Sequence, residues 1–182
     1  MSDHSDEELL KLLRNKQQTY HGFRLLVRKY QERIYYFVRR IVINHEDADY
    51  VVQNIFIKIW NNLDSFREDS RLFTWIYRIA VNESFSFLKQ KRLKNMVSLD
   101  SFEASAIRSL NDDNYFNGSD IEKKLQLAIL RLPEKQKMVF NMRYYEDLSY
   151  EEMSDILGTS VGALKASYHF ATKKISDFVL AD

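Results

Sequence analysis

The chain has 182 residues, 45% hydrophobic and 29% charged, with a net charge of +1, the profile of a soluble globular protein holding one large domain or two small ones. Only 4 glycines and 1 proline leave too few turn formers for an all-β or loop-rich architecture, so an all-α fold is expected. The absence of cysteine removes disulfides and thiolate chemistry and suits a reducing cytosol.

The acidic start MSDHSDEELLKLL lacks the basic-then-apolar pattern of a signal peptide. Helical periodicity then covers 5–16, 19–42 and 46–63. In 46–63 the apolar residues Val51, Val52, Ile55, Phe56, Ile59 and Trp60 form one stripe, and Glu46, Asp47 and Asp49 stand in the first turn, where acids complement the helix dipole. A break at DSFREDSR, 64–71, precedes a further helix from Leu72 to Lys94, whose end KQKRLK is basic. No apolar run reaches the ~20 residues of a membrane span, so the expected location is cytoplasmic.

From 95 to 118 the periodicity fades into Ser, Asp, Asn and Glu, the composition of an acidic flexible linker. Helical pattern returns at 119–132 and again at 133–145, where Pro133 suits a first turn. Ser149 and Glu152 make an S-x-x-E capping box for a helix bearing Met153, Ile156 and Leu157. Gly158 stops that helix and the next begins after Ser160, a helix-turn-helix pattern. The expected architecture is thus two small helical domains, 1–94 and 119–182, joined by the acidic linker at 95–118.

On the last helix Val161, Leu164, Tyr168, Ala171, Ile175 and Phe178 form an apolar stripe expected to pack on the preceding helix. The other side carries Gly162, Ala166, His169 and Lys173, flanked by Lys165, Phe170 and Lys174. Small residues allow close approach to a groove and lysines neutralise phosphate, so the pair reads either as a DNA-reading unit or as an αα-hairpin with a solvated basic face. With no Arg, Asn or Gln on that side, the helix positions more than it specifies.

Two further constellations stand in the N-terminal half. Asp49, Gln53, Phe56 and Trp60 recur at i, i+4, i+7 and i+11, a row running from polar to aromatic. That row suits an anchored protein interface, although Phe56 and Trp60 could equally be core. In 65–94, Phe66, Phe73, Trp75, Tyr77, Phe85 and Phe87 alternate with Arg67, Arg71 and Arg78 before the basic end. Aromatics among cations can stack unpaired bases; the same spacing also serves an ordinary core.

At DADYVVQNIFIKIW, LDSFREDSRLFTWIYRIAVN, LPEKQKMVF and LSYEEMSDILGTSVGALKASYHFATKKI the chain resembles bacterial RNA polymerase sigma factors, and within the sigma-70 superfamily the small extracytoplasmic-function (ECF) group. The resemblance covers about residues 8–180. It implies a protein that is not an enzyme, needs no cofactor or metal, and directs core RNA polymerase to promoter DNA, which is then melted. It implies that 1–94 is region two and 119–182 region four. Asp49, Gln53, Phe56 and Trp60 would dock on the clamp helices of the largest polymerase subunit, with the flap a further contact.

For the opened minus-ten element the resemblance implies Phe66 as a pocket for a flipped base, with Arg67, Arg71, Arg78, Asn82, Lys89, Lys91 and Arg92 around it. For the minus-thirty-five element it implies Thr159, Ser160, Gly162, Lys165, Ala166, Ser167, His169, Phe170 and Lys173. An anti-sigma factor is a common partner in such a family. Arginines that several members carry are replaced here by Ser167, Phe170 and Thr172.

Two rival readings use the same residues. A stand-alone helix-turn-helix regulator would use 1–94 for dimerisation or sensing. A hydrolase built on Glu46, Asp47 and Asp49 would need a nucleophile, a phosphate loop or metal-ligand spacing, and His4, His21, His45 and His169 are scattered.

Overall fold

Ser5 opens the first helix, α1 (Asp6–Arg14), with a reciprocal capping box in which its hydroxyl accepts from Glu8 N and Glu8 accepts from Ser5 N. The computed structural model describes residues 4–95, Ala104, Ile107, Arg108, Leu110 and 120–181, and no strand occurs among them. Helices α2 (Thr19–Val42), α3 (His45–Asn62) and α4 (Leu72–Asn95) complete the N-terminal half. A short 3₁₀ turn, Leu63–Ser65, follows α3. The C-terminal half contains α5 (Asp120–Leu130), α6 (Glu134–Tyr144), α7 (Tyr150–Leu157) and α8 (Val161–Leu180).

Local chemistry sets the boundaries. The Asn44 side chain accepts from Asp47 N at 3.0 Å and starts α3. Ser149 and Glu152 close the capping box of α7, and Gly158, at φ 62°, ends it in the left-handed conformation that glycine adopts without a Cβ penalty. Ser160 caps α8 by accepting from Ala163 N at 3.4 Å. Pro133, expected in the first turn of this helix, stands one residue before it, at the N-cap of α6, where its extended ψ of 144° turns the chain away from α5.

The N-terminal core is built from Leu26, Ile34 and Phe37 of α2, Ile55 and Ile59 of α3, and Ile76, Tyr77 and Ala80 of α4, all fully buried. The same contiguous cluster continues into Met138 and Met142 of α6, Met153 and Ile156 of α7, and Leu164 of α8. The two halves therefore share a core across the α4–α7 and α2–α6 contacts, instead of each closing its own. A second cluster joins Ala128 and Ile129 of α5, Leu132 and Phe140 to Ala171 and Ile175 of α8.

That second cluster corrects the expected role of the α8 stripe. Leu164 joins the core that holds Met153 and Ile156 of α7. Ala171, Ile175 and Phe178 pack instead on α5 and α6, because α8 is much longer than α7 and outruns it. The expected linker at 95–118 falls mostly outside the described residues. Of those described, Leu110 is fully buried against Ile43, Leu127 and Leu130.

Candidate functional site

Three surfaces carry the residues singled out above. On α3, Asp49 is half-exposed with its carboxylate 3.4 Å from His45 Nε2, and Gln53 is exposed. Phe56 is 9% exposed and belongs to the core, whereas Trp60 is 42% exposed. The row thus divides: one aromatic anchors the helix and the other faces solvent. Trp60 meets Phe23 of α2 edge-on, with ring centroids 4.9 Å apart. Together with exposed Tyr20 and with Ile57, 56% exposed, they line a shallow apolar depression floored by Phe56. Tyr20, Phe23 and Ile57 were not picked out from sequence. The three-residue spacing of Tyr20 and Phe23 is the signal that could have found them.

The second surface runs along α4. Phe66 is half-buried and packs on Trp75 at 4.8 Å between centroids, at the mouth of the loop that ends α3. Arg67 beside it is exposed. Arg78, Asn82 and Lys89 recur at four and seven residues, which keeps them on one face of the helix, and Arg71 stands just before its first residue. That face is turned toward the C-terminal half. Arg71 stands 3.9 Å from Glu152, Arg78 donates to the Asp155 carbonyl at 2.6 Å, and Arg92 pairs with Glu134. Asn82 shares a cleft with Thr159, Ala163 and Ser167. Lys91 departs from the group and pairs with Asp47 across the α3–α4 contact.

The third surface is α8. Thr159, Ser160, Gly162, Lys165, Ala166, His169, Phe170 and Lys173 are exposed, and Ser167 is half-buried where it lines the cleft with Asn82. Lys165 lies 5.6 Å from the centroid of the Tyr150 ring, a cation–π placement. Added Cβ atoms at Gly162 would meet nothing within 4 Å, so its surface is open. Hydrogen bonds from the Ser149 backbone and hydroxyl hold the Glu152 carboxyl below its ordinary range, with Arg71 adding to the effect.

Sequence reading also missed the residue that ties the halves together. Glu146 lies on the turn between α6 and α7, with its side chain 5% exposed. It accepts from Tyr77 Oη at 2.6 Å, Arg33 Nε at 2.9 Å and an Arg40 guanidinium nitrogen at 3.0 Å. Burial, then the Glu146 carboxylate, push the Tyr77 phenol well above its ordinary pKa. No local pattern marks Glu146, since its partners lie 69 to 113 residues away in the chain.

The acids of the hydrolase reading have structural uses. Asp47 pairs with Lys91 and Asp49 faces His45. Among the described residues no group of three or more His, Cys, Asp or Glu could hold a metal ion.

An all-helical chain with a solvent-facing aromatic depression and basic faces on two helices is of the kind that joins a protein partner to nucleic acid. Two family models match the chain: residues 26–93 match sigma-70 region 2 and residues 122–175 match sigma-70 region 4. The chain is 34% identical over 166 residues to the ECF RNA polymerase sigma-E factor of Escherichia coli K12, spanning 87% of this chain and 86% of that one. It is 30% identical over 164 residues to the sigma-E factor of Haemophilus influenzae, with 86% of each covered.

Two solved structures share the fold. CnrH in complex with the cytosolic domain of CnrY superposes with TM-score 0.71 at 22% identity, covering 97% of this chain and 98% of that one. The sigma factor RpoE in complex with the anti-sigma factor NepR, from Bartonella quintana, superposes with TM-score 0.66 at 20% identity over 88% and 98%. The chain belongs to the ECF group of the sigma-70 family, whose members direct transcription initiation. The stand-alone regulator is accordingly the less favoured reading.

Proposed function

We propose that the chain is a non-enzymatic, cytoplasmic subunit that binds core RNA polymerase through the α3 face and reads a two-part promoter through α4 and α8. Region two would span 1–94 and region four 119–182, with 95–118 passing between them. The observation that carries this is the pairing, in one chain, of both sigma regions with the Trp60 depression, which is apolar and exposed, on the same helix as exposed Gln53 and half-exposed Asp49.

On this reading Trp60, Phe23 and Ile57 supply the buried centre of the polymerase interface, and Asp49 and Gln53 its polar edge. Phe66 and Trp75 offer an aromatic wall for a base flipped from the opened minus-ten element; unstacking costs a few kcal/mol, which pocket contacts must offset. Arg67, Arg71, Arg78, Asn82, Lys89, Lys91 and Arg92 hold the strand around it. Lys165 and Lys173, with Thr159 and Ser160 at the start of α8, meet the minus-thirty-five backbone, and Gly162 and Ala166 let the helix approach closely. An anti-sigma protein that covers these faces would switch the chain off.

Titrating labelled chain with core polymerase tests this. Saturable binding at or below micromolar concentration, competed by an unlabelled sigma factor, is expected. A lack of binding at that concentration would refute the assignment.

A further inference from the structure

The solvent side of α8 carries two adjacent rows of side chains. Lys165, His169 and Lys173 repeat every four residues, and so do Gly162, Ala166 and Phe170, all of them exposed. The first row is cationic at both ends, and no acid occurs from Val161 to Lys174. Lys174 is turned aside and donates to the Gln136 side chain of α6 at 3.1 Å. The second row is apolar, and its first two members barely project. Phe170 is the side chain that reaches out from it.

A core role does not account for that ring. Phe170 is 54% exposed, whereas Leu164 and Ala171 on the opposite side of α8 are buried in the two main apolar clusters. Its ring partner among the described residues is the neighbouring His169, with centroids 5.8 Å apart and 62° between planes. A large apolar group is thus presented to solvent between lysines. That charge pattern suits a groove walled by phosphates better than an apolar face on a protein.

The chemistry of the groove narrows what the ring can meet. Every base edge on the major-groove floor offers donors or acceptors, and thymine adds a C5 methyl, an apolar feature the other bases lack. A phenyl ring neither donates nor accepts, so laying it on a polar edge strips water and replaces nothing. Over a thymine methyl it gains apolar contact instead. We infer that Phe170 is the specificity-determining residue of α8 and reads a thymine methyl in the minus-thirty-five element, while Lys165 and Lys173 hold the adjoining backbone. This rests on the sigma-factor reading above and adds to it the base that the helix selects.

Deoxyuridine is thymidine without that methyl, so it isolates the contact. The template is the strongest promoter that the chain and core polymerase use on genomic fragments, with each thymine of its minus-thirty-five element replaced in turn on either strand. For the unaltered chain, one replacement or two neighbouring ones should lower holoenzyme affinity about fourfold, the worth of one buried methyl group. Phe170→Ala should lose a similar factor on the thymine template and respond to no replacement. Phe170→Leu, still apolar, should keep part of the response, and circular dichroism checks that both variants are folded. An element without thymine, full tolerance of deoxyuridine by the unaltered chain, or a response that survives Phe170→Ala would each overturn the assignment. A loss of core binding in Phe170→Ala would show that a protein covers the ring, and would overturn it too. If active polymerase starts nowhere with the unaltered chain, the sigma-factor reading itself fails, a result distinct from a promoter that tolerates deoxyuridine.

Discussion

The indole of Trp60 meets the ring of Phe23 edge-on, 4.9 Å between centroids and 62° between planes, while Trp60 keeps 42% of its surface in solvent. A large aromatic held in place by a neighbouring helix and left exposed is preorganised for a partner, because little rotamer freedom remains to be lost on binding. Trp60→Ala should weaken core-polymerase binding by about tenfold or more, the scale of an interface hot spot. Gln53→Ala should weaken it less and leave the melting temperature nearly unchanged, as expected of an exposed site. Phe56→Ala should instead cost about 3–5 kcal/mol of stability, since that ring is core. Titration and thermal melts on the same three variants separate the roles; equal loss of stability in all three would refute the division.

Charge reversal on α8 tests the DNA face. Lys165→Glu with Lys173→Glu should abolish transcription that depends on the minus-thirty-five element, with core binding unaffected. The salt dependence of duplex binding should flatten by roughly 0.9 log units per lost phosphate contact. A parallel fall in core affinity would show that the two surfaces are not separate.

Glu152 gives the C-terminal half a pH dependence. Its folded pKa lies below the unfolded one, so its contribution to stability is present above the ordinary carboxylate range and fades as pH falls through the depressed value. Glu152→Gln should therefore narrow the stability gap with the unaltered chain as pH drops from neutral toward about 3. Ser149→Ala removes the cap itself and should cost about 0.5–2 kcal/mol at neutral pH. Chemical denaturation across that pH range reads both effects; a gap that widens in acid would contradict the assignment.

Asn141 on α6 is 1% exposed, and neither of its side-chain amide atoms has a hydrogen-bond partner among the described residues. A buried polar group in that state is destabilising, and a near-isosteric apolar residue removes the cost. Asn141→Leu should raise stability by about 1 kcal/mol, or about 2–4 °C in melting temperature for a chain of this size. A fall in melting temperature would mean the amide is satisfied in solution.

Much of the fold was legible because its signals are local. The α3 stripe put that helix within one residue of its true ends, and the S-x-x-E pattern at Ser149 and Glu152 is realised as a full capping box. The all-α class followed from the scarcity of glycine and proline. What stayed hidden is long-range. Phe56 and Trp60 are equivalent in the pattern, yet one is buried in the core and the other stays exposed beside Phe23. The stripe of α8 gave the buried positions but not the partner, because α5 and α6 take over where α7 ends. Glu146 looks like an ordinary turn acid until Tyr77, Arg33 and Arg40 are brought to it.

The most direct test of the central claim is initiation itself. Purified chain added to core RNA polymerase, on genomic templates cut into promoter-sized fragments, should yield transcripts with defined start sites. Those transcripts should disappear when the chain is omitted or carries Trp60→Ala. Random or absent initiation at saturating chain, with polymerase shown active with another sigma factor, would contradict it.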